Sequence, residues 1–196
     1  DVVLVQPGEY FENIRLVSNI TLGSKILSTG NRSYIDSTII DGDGEGSVLS
    51  IVGDIPDALI SGFTIQNGEF NFGGGIRCSG TNATLTNLLV QDNIAIQGGG
   101  GVYILNGGDD DLGFGPTLKH ITVINNETFN DGGGIYISQV NDNDDETLLE
   151  DVQVIDNQAR DIGGGLYITF SNPVLRDVII SNNSSSSAGG LHMQWS

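Results

Sequence analysis

The chain has 196 residues, with 25 acidic and 7 basic side chains and a formal net charge of -18. That balance excludes nucleic acid as a partner and argues against an anionic membrane surface, because both need a basic face. A single cysteine, Cys78, excludes an internal disulfide and a cysteine-built zinc site. The 29 glycines and 4 prolines do not describe collagen or a disordered chain, since short apolar runs recur throughout.

The opening "DVVLVQPGEY" reads as a strand and a turn, and the last residues, "GGLHMQWS", stop inside a repeat. A segment of a longer chain is therefore expected, with no signal-peptide pattern and no apolar run long enough to span a bilayer within it. Strand-like pieces follow at "NITLGS" and "STIIDG". Next, "DGDGEG" (Asp41 to Gly46) partly copies the D-x-D spacing of a calcium loop, although a plain turn is the simpler reading. Helix signals are absent: there are no capping boxes and no 3.6-residue apolar stripes.

From Ile65 onward the chain repeats itself. Residues following each glycine run, namely Ile76, Val102, Ile135, Leu166 and Leu191, recur at intervals of 26, 33, 31 and 25 residues. "GIRCS", "GVYIL", "GIYIS", "GLYIT" and "GLHMQ" alternate at period two, and "LTNLLV", "LKHITV", "LEDVQV" and "LRDVII" supply further short strands. Such units cannot bury an apolar face alone, but stacked units can, so a solenoid is predicted. Its interior columns should be Ile76, Val102, Ile135, Leu166 and Leu191, then Cys78, Ile104, Ile137, Ile168 and Met193. Cys78 is then a core residue. Asn93, Asn126, Asn157 and Asn183 form a column whose amides can bond from turn to turn and whose backbone can turn left-handed. Beside it, Asn67, Asp92, Asn125, Asp156 and Asn182 alternate Asn with Asp, so like charges need not stack. The glycine runs allow tight turns with positive φ.

These units resemble the right-handed parallel β-helix (pectate-lyase-like) superfamily. "VLVQPGEYFENI", "NITLGS", "STIIDG" and "ALISGFTIQNG" are similar to the opening of many exported bacterial domains of that kind. "GGGI", "GGGV", "GGGL" and "GGL" with "VQDN", "VINN", "VIDN" and "ISNN" are similar to repeats of chlamydial polymorphic membrane proteins and related surface proteins. Those repeats have Ala where this chain has Gly, and Phe where it has Val or Ile. The resemblance implies an all-β, right-handed parallel β-helix of roughly eight turns, filling residues 1–196 as one domain. It also implies an extracellular or cell-surface location in a bacterium. It selects no activity, because the fold hosts lyases, hydrolases and adhesins alike.

Three outward features could carry chemistry. Two insertions, "LNGGDDDLGFGPT" and "SQVNDNDDET", follow the same strand in consecutive units. They gather Asp109, Asp110, Asp111, Asp142, Asp144, Asp145 and Glu146. They read either as solvated acidic turns or as a calcium site of hard oxygen ligands. The column Arg77, Tyr103, Tyr136, Tyr167 and His192 should face outward. It reads either as tyrosines stacked on one another or as an exposed, coplanar platform for sugar rings. Thr86, Lys119, Glu150 and Arg176 should form a ladder of ion pairs, with His120 placed to meet Asp151 one turn away.

The reading is a non-enzymatic secreted or surface module: an adhesin, stalk or glycan-binding scaffold. It requires no cofactor; calcium at the paired acidic loops is the sharper alternative. The partner would be a polysaccharide or a host or cell-surface glycan, and this segment does not insert into a membrane. The alternative is a polysaccharide lyase or glycoside hydrolase.

Overall fold

The computed structural model describes residues 1–55, 57–106, 115–139 and 147–195. Its strands form three parallel sheets in which neighbours are always consecutive coils, so the chain is an all-β parallel β-helix. The long-strand face stacks Val2–Val5, Thr21–Ser24, Leu59–Gln66, Thr84–Gln91, Thr117–Ile124, Leu148–Ile155 and Val174–Ser181. The glycine-led face stacks Ile14–Leu16, Leu49–Ile55, Ile76–Thr81, Val102–Asn106, Ile135–Gln139, Leu166–Thr169 and Leu191–Gln194. A short-strand face, Glu69–Phe72, Ile94–Gly98, Glu127–Thr128 and Gln158–Ala159, closes the section.

Among the described residues the two larger faces have seven strands each, apart from accessory pieces, which agrees with the roughly eight turns expected. Near the N-terminus the long strand of one coil is interrupted. Thr21–Ser24 and Thr38–Asp41 both pair with Leu59–Gln66, one with each half. Between them run two short helices, α1 (Ile26–Thr29) and α2 (Ser33–Ser37), which correct the expectation of no helix. Lys25 and Arg32, at the cap positions, make no side-chain cap bond, but one residue earlier Ser24 Oγ accepts the Ile26 N–H at 3.3 Å and Asn31 Oδ1 accepts the Ser33 N–H at 3.0 Å. Burial of Ile26 and Ile35 holds the helices on the sheet, with the Thr64 hydroxyl donating to the Ile35 carbonyl oxygen at 3.0 Å. Neither is long enough to cross a membrane.

One continuous core runs through the coils and includes the predicted columns from Ile76 to Leu166 and from Cys78 to Ile168. Burial pushes the Cys78 thiol up to about 12, as for an inert core residue. Leu191 and Met193 continue those columns, but on the terminal coil they are 40% and 46% exposed. Burial in a solenoid needs a coil on both sides.

The long strands bend once each. Gly62, Asn87, His120, Asp151 and Asp177 all have positive φ, and they fall at the gap in each strand's pairing register. A single left-handed residue lets Leu85 and Leu88 both point inward around the corner. A second left-handed column is Asn67, Asp92, Asn125, Asp156 and Asn182, with φ between 54° and 57°. The left-handed turn assigned to Asn93 and its counterparts therefore belongs to the preceding residue.

The Asn column itself has a different task. Asn93 donates through Nδ2 to Asn126 Oδ1 at 2.9 Å, Asn126 to Asn157 at 2.9 Å, and Asn157 to Asn183 at 3.0 Å. Each of these amides also donates to carbonyls of its own and the preceding coil, as Asn126 does to Ile124 and Val90. Each Oδ1 accepts a backbone N–H from the coil before, as Asn157 does from Asn126. The third glycine of each run packs against this seam. A Cβ on Gly134 would stand 2.9 Å from Asn157 Nδ2 and 2.7 Å from the Gly165 carbonyl oxygen, closer than side chains tolerate. Within the runs positive φ occurs only at the glycine three residues before the next apolar column residue, at Gly73, Gly99, Gly132 and Gly163. In the last coil Ala188 takes that place with φ 56°.

Two outcomes follow. Asn126→Ala strands buried donors and acceptors on two neighbouring coils and should cost about 3 kcal/mol in urea unfolding. A loss well under about 1 kcal/mol would show that the ladder is not needed. Ala188→Gly should gain about 1 kcal/mol, because relief of left-handed strain exceeds the added freedom of the unfolded chain.

Candidate functional site

The register places Arg77, Tyr103, Tyr136, Tyr167 and His192 in one outward column of the glycine-led face. Their rings do not form a flat open platform. Tyr103 and Tyr136 have centroids 5.4 Å apart at 40°, and Tyr136 and Tyr167 are 4.9 Å apart at 39°. Tyr103 and Tyr167 are each only 7% exposed. Tilted contacts at these distances suit ring quadrupoles, so the aromatic faces are spent on one another. Phe72 extends the stack beneath Tyr103 at 4.7 Å, and His192 ends it parallel to Tyr167 at 5.3 Å. Phe72 escaped the sequence reading because it comes from the preceding short strand, not from the tyrosine column.

The rings lean back over the glycine turns: a Cβ on Gly98 would meet the Tyr136 ring at 2.8 Å. Burial, then the neighbouring Tyr167, Tyr103 and Asp131, push the Tyr136 phenol up to about 12. Tyr103 is raised by burial and eased by the Arg77 guanidinium. Tyr167 is raised by burial and by Asp131, and its hydroxyl donates to Gln194 Oε1 at 3.2 Å. Asp131 is itself raised, mainly by burial, while the Ile162 N–H it accepts at 3.1 Å works the other way.

The acidic residues Asp109, Asp110, Asp111, Asp142, Asp144, Asp145 and Glu146 lie outside the described residues. The roots of their two insertions are described. Leu105 pairs with Ser138 and Asn106 with Gln139 on the outgoing side, and Thr117 with Leu148 on the return. Among the described residues, no group of three His, Cys, Asp or Glu side chains is placed to hold a metal ion.

On the long-strand face, Lys119 Nζ meets Glu150 Oε1 at 2.9 Å and Arg176 Nη1 meets Glu150 Oε2 at 3.1 Å. Hydrogen bonding and charge from Lys119, then Arg176, hold the Glu150 carboxyl below its ordinary range. One corner column over, His120 Nδ1 lies 2.6 Å from Asp151 Oδ2. Nearby, α2 leans over the sheet and leaves an open groove of about 340 Å³ lined by Arg32, Ser33, Asp36, Leu89 and Thr122. Arg32 Nη1 donates to Asn87 Oδ1 at 3.0 Å, the corner residue one coil before His120. The sequence carried no signal for this groove, because its two walls are far apart along the chain.

Beside Asp41, the "DGDGEG" turn is satisfied internally. Asp41 accepts from Gln66 Nε2 at 2.8 Å, Asn67 Nδ2 at 2.6 Å and the Asp43 N–H at 2.9 Å. Burial works against its charge, but those bonds prevail and hold the carboxyl low. Asp41 thereby ends the amide chain in which Gln91 donates to Gln66 at 3.0 Å.

No family model, curated protein or solved structure matches the chain.

The tyrosine column sets a pH dependence. The folded phenol of Tyr136 sits near 12, above its unfolded value near 10. Its contribution to stability is therefore complete below pH 10 and is lost as pH rises toward 12. Absorbance of tyrosinate should show a late phase in the folded protein that Tyr136→Phe removes, and the variant should unfold less steeply over that window.

Proposed function

We propose that the chain is a non-enzymatic module of a surface or secreted protein, a rigid β-helix stalk or adhesin scaffold. It would belong with the pectate-lyase-like parallel β-helices that its repeats resemble and would sit outside a bacterial cell. One observation carries this reading: the columns with chemical capacity are used to join coil to coil. Tyrosine rings pack on tyrosine rings, Asn amides on Asn amides, and Glu150 between Lys119 and Arg176. Such ladders stiffen a solenoid along its axis, which suits a spacer that holds a surface at a distance. The strong acidity supports solubility in that setting.

The His120–Asp151 contact favours a second reading, a polysaccharide lyase or hydrolase. A carboxylate that orients an imidazole is half of a general-base arrangement. Two carboxylates across a scissile bond would serve a hydrolase instead.

The test is incubation with neutral and acidic polysaccharides in calcium, followed by reducing-end and viscosity measurements. The scaffold reading expects no shortening of any polymer. Shortening that disappears in His120→Ala would overturn it in favour of the enzyme.

A further inference from the structure

The short-strand face differs from the other two. Its outward residues include Ile94, Glu127, Gln158 and Ser184 in one register column. One residue beyond the paired Ala95 and Thr128 come Ile96 and Phe129, then Arg160, whose N–H donates to the Thr128 carbonyl. Phe129 is 49% exposed and Ile96 is 45% exposed. Among the described residues Phe129 has no ring partner, unlike every tyrosine of the buried stack. Beside it lies an open groove of about 400 Å³, with Ala159 in its lining and Glu127, Gln158, Arg160 and Ser184–Ser186 around it. The groove spans three successive coils. On the last of these coils Ser184 stands opposite Gln158, and serines line that side of the groove.

Among the described residues, Glu127, Gln158 and Arg160 make no side-chain hydrogen bond or ion pair, although all three sit at one groove. On the long-strand face several long polar side chains are engaged with one another: Lys119 with Glu150, Gln91 with Gln66, Arg32 with Asn87. Here a guanidinium, an amide and a carboxylate leave donors and acceptors free around a half-exposed ring.

We propose that this groove binds an uncharged oligosaccharide. A sugar has an apolar C–H face that can lie on Phe129, and a rim of hydroxyls that both donate and accept. Glu127 and Arg160 cancel in charge, which favours a neutral ligand over an acidic one. The ring's groove neighbours are polar, whereas a protein-docking patch would be contiguous and apolar. The volume falls within the rough range of 300–1,000 Å³ for small-molecule clefts. The site is distinct from the tyrosine column, whose faces are already covered.

This inference deepens the scaffold reading by giving the module a ligand, and the two fail separately. Polymer cleavage would end the scaffold reading without touching binding at Phe129. The experiment is saturation-transfer NMR and calorimetry of the intact chain with a panel of neutral gluco-, manno-, galacto- and N-acetylglucosamine oligosaccharides. At least one should bind. Phe129→Ala should weaken it roughly tenfold with an unchanged melting midpoint, Gln158→Ala should weaken it as well, and Gln153→Ala on the long-strand face should leave it unchanged. The proposal is overturned if no neutral sugar binds, if only acidic sugars or proteins bind, or if Phe129→Ala binds as tightly as the parent.

Discussion

A buried polar group must be matched, and in this solenoid that requirement falls on a seam of asparagines. Asn93, Asn126 and Asn157 are almost wholly enclosed, so each amide costs free energy unless its donors and acceptor are all engaged. Parallel coils one strand spacing apart solve this by repetition, because each amide donates to the next and its oxygen accepts from the coil before. The solution admits one register only. A coil displaced by one residue would bring an apolar side chain to the ladder and an amide to the core.

The glycine runs are the other half of the same seam. The third glycine gives the Asn amide room, and the first supplies the left-handed turn that brings the chain round to the next strand. Left-handed Asn and Asp residues, with Gly62 and His120 at two positions, supply the remaining corners; a short polar side chain tolerates the conformation. Core packing then follows with little further specification, since the inward columns are aliphatic apart from Phe63 and Cys78 and most members meet a similar residue above and below.

What remains for function is whatever these ladders leave free. On the glycine-led face the aromatic rings are consumed by stacking, and burial raises the phenols as a consequence. On the long-strand face the charges are largely paired. The short-strand face has the briefest strands and the fewest ladders. Its long polar side chains and its exposed ring are accordingly available to something outside the chain.

The repeat was legible because it is local: an interval of about 25 residues, period-two alternation, and the recurrence of Asn and Gly can all be read in one dimension. The parallel solenoid, its interior columns, the Lys119–Glu150–Arg176 ladder and the His120–Asp151 contact all follow from that alignment. Other features could not be read this way. The helices α1 and α2 have no capping box and no apolar stripe; the Ser24 and Asn31 turns that start them are too short a signal by themselves, and the helices persist because Ile26 and Ile35 find a sheet to lie on. Phe72 joins the tyrosine stack from a different strand, and the rings' tilt closes a face that alternation alone made outward. Periodicity by itself determined which way each side chain leaves the backbone. Only the tertiary structure decided what each one then meets, because that depends on neighbours contributed by other coils and other faces.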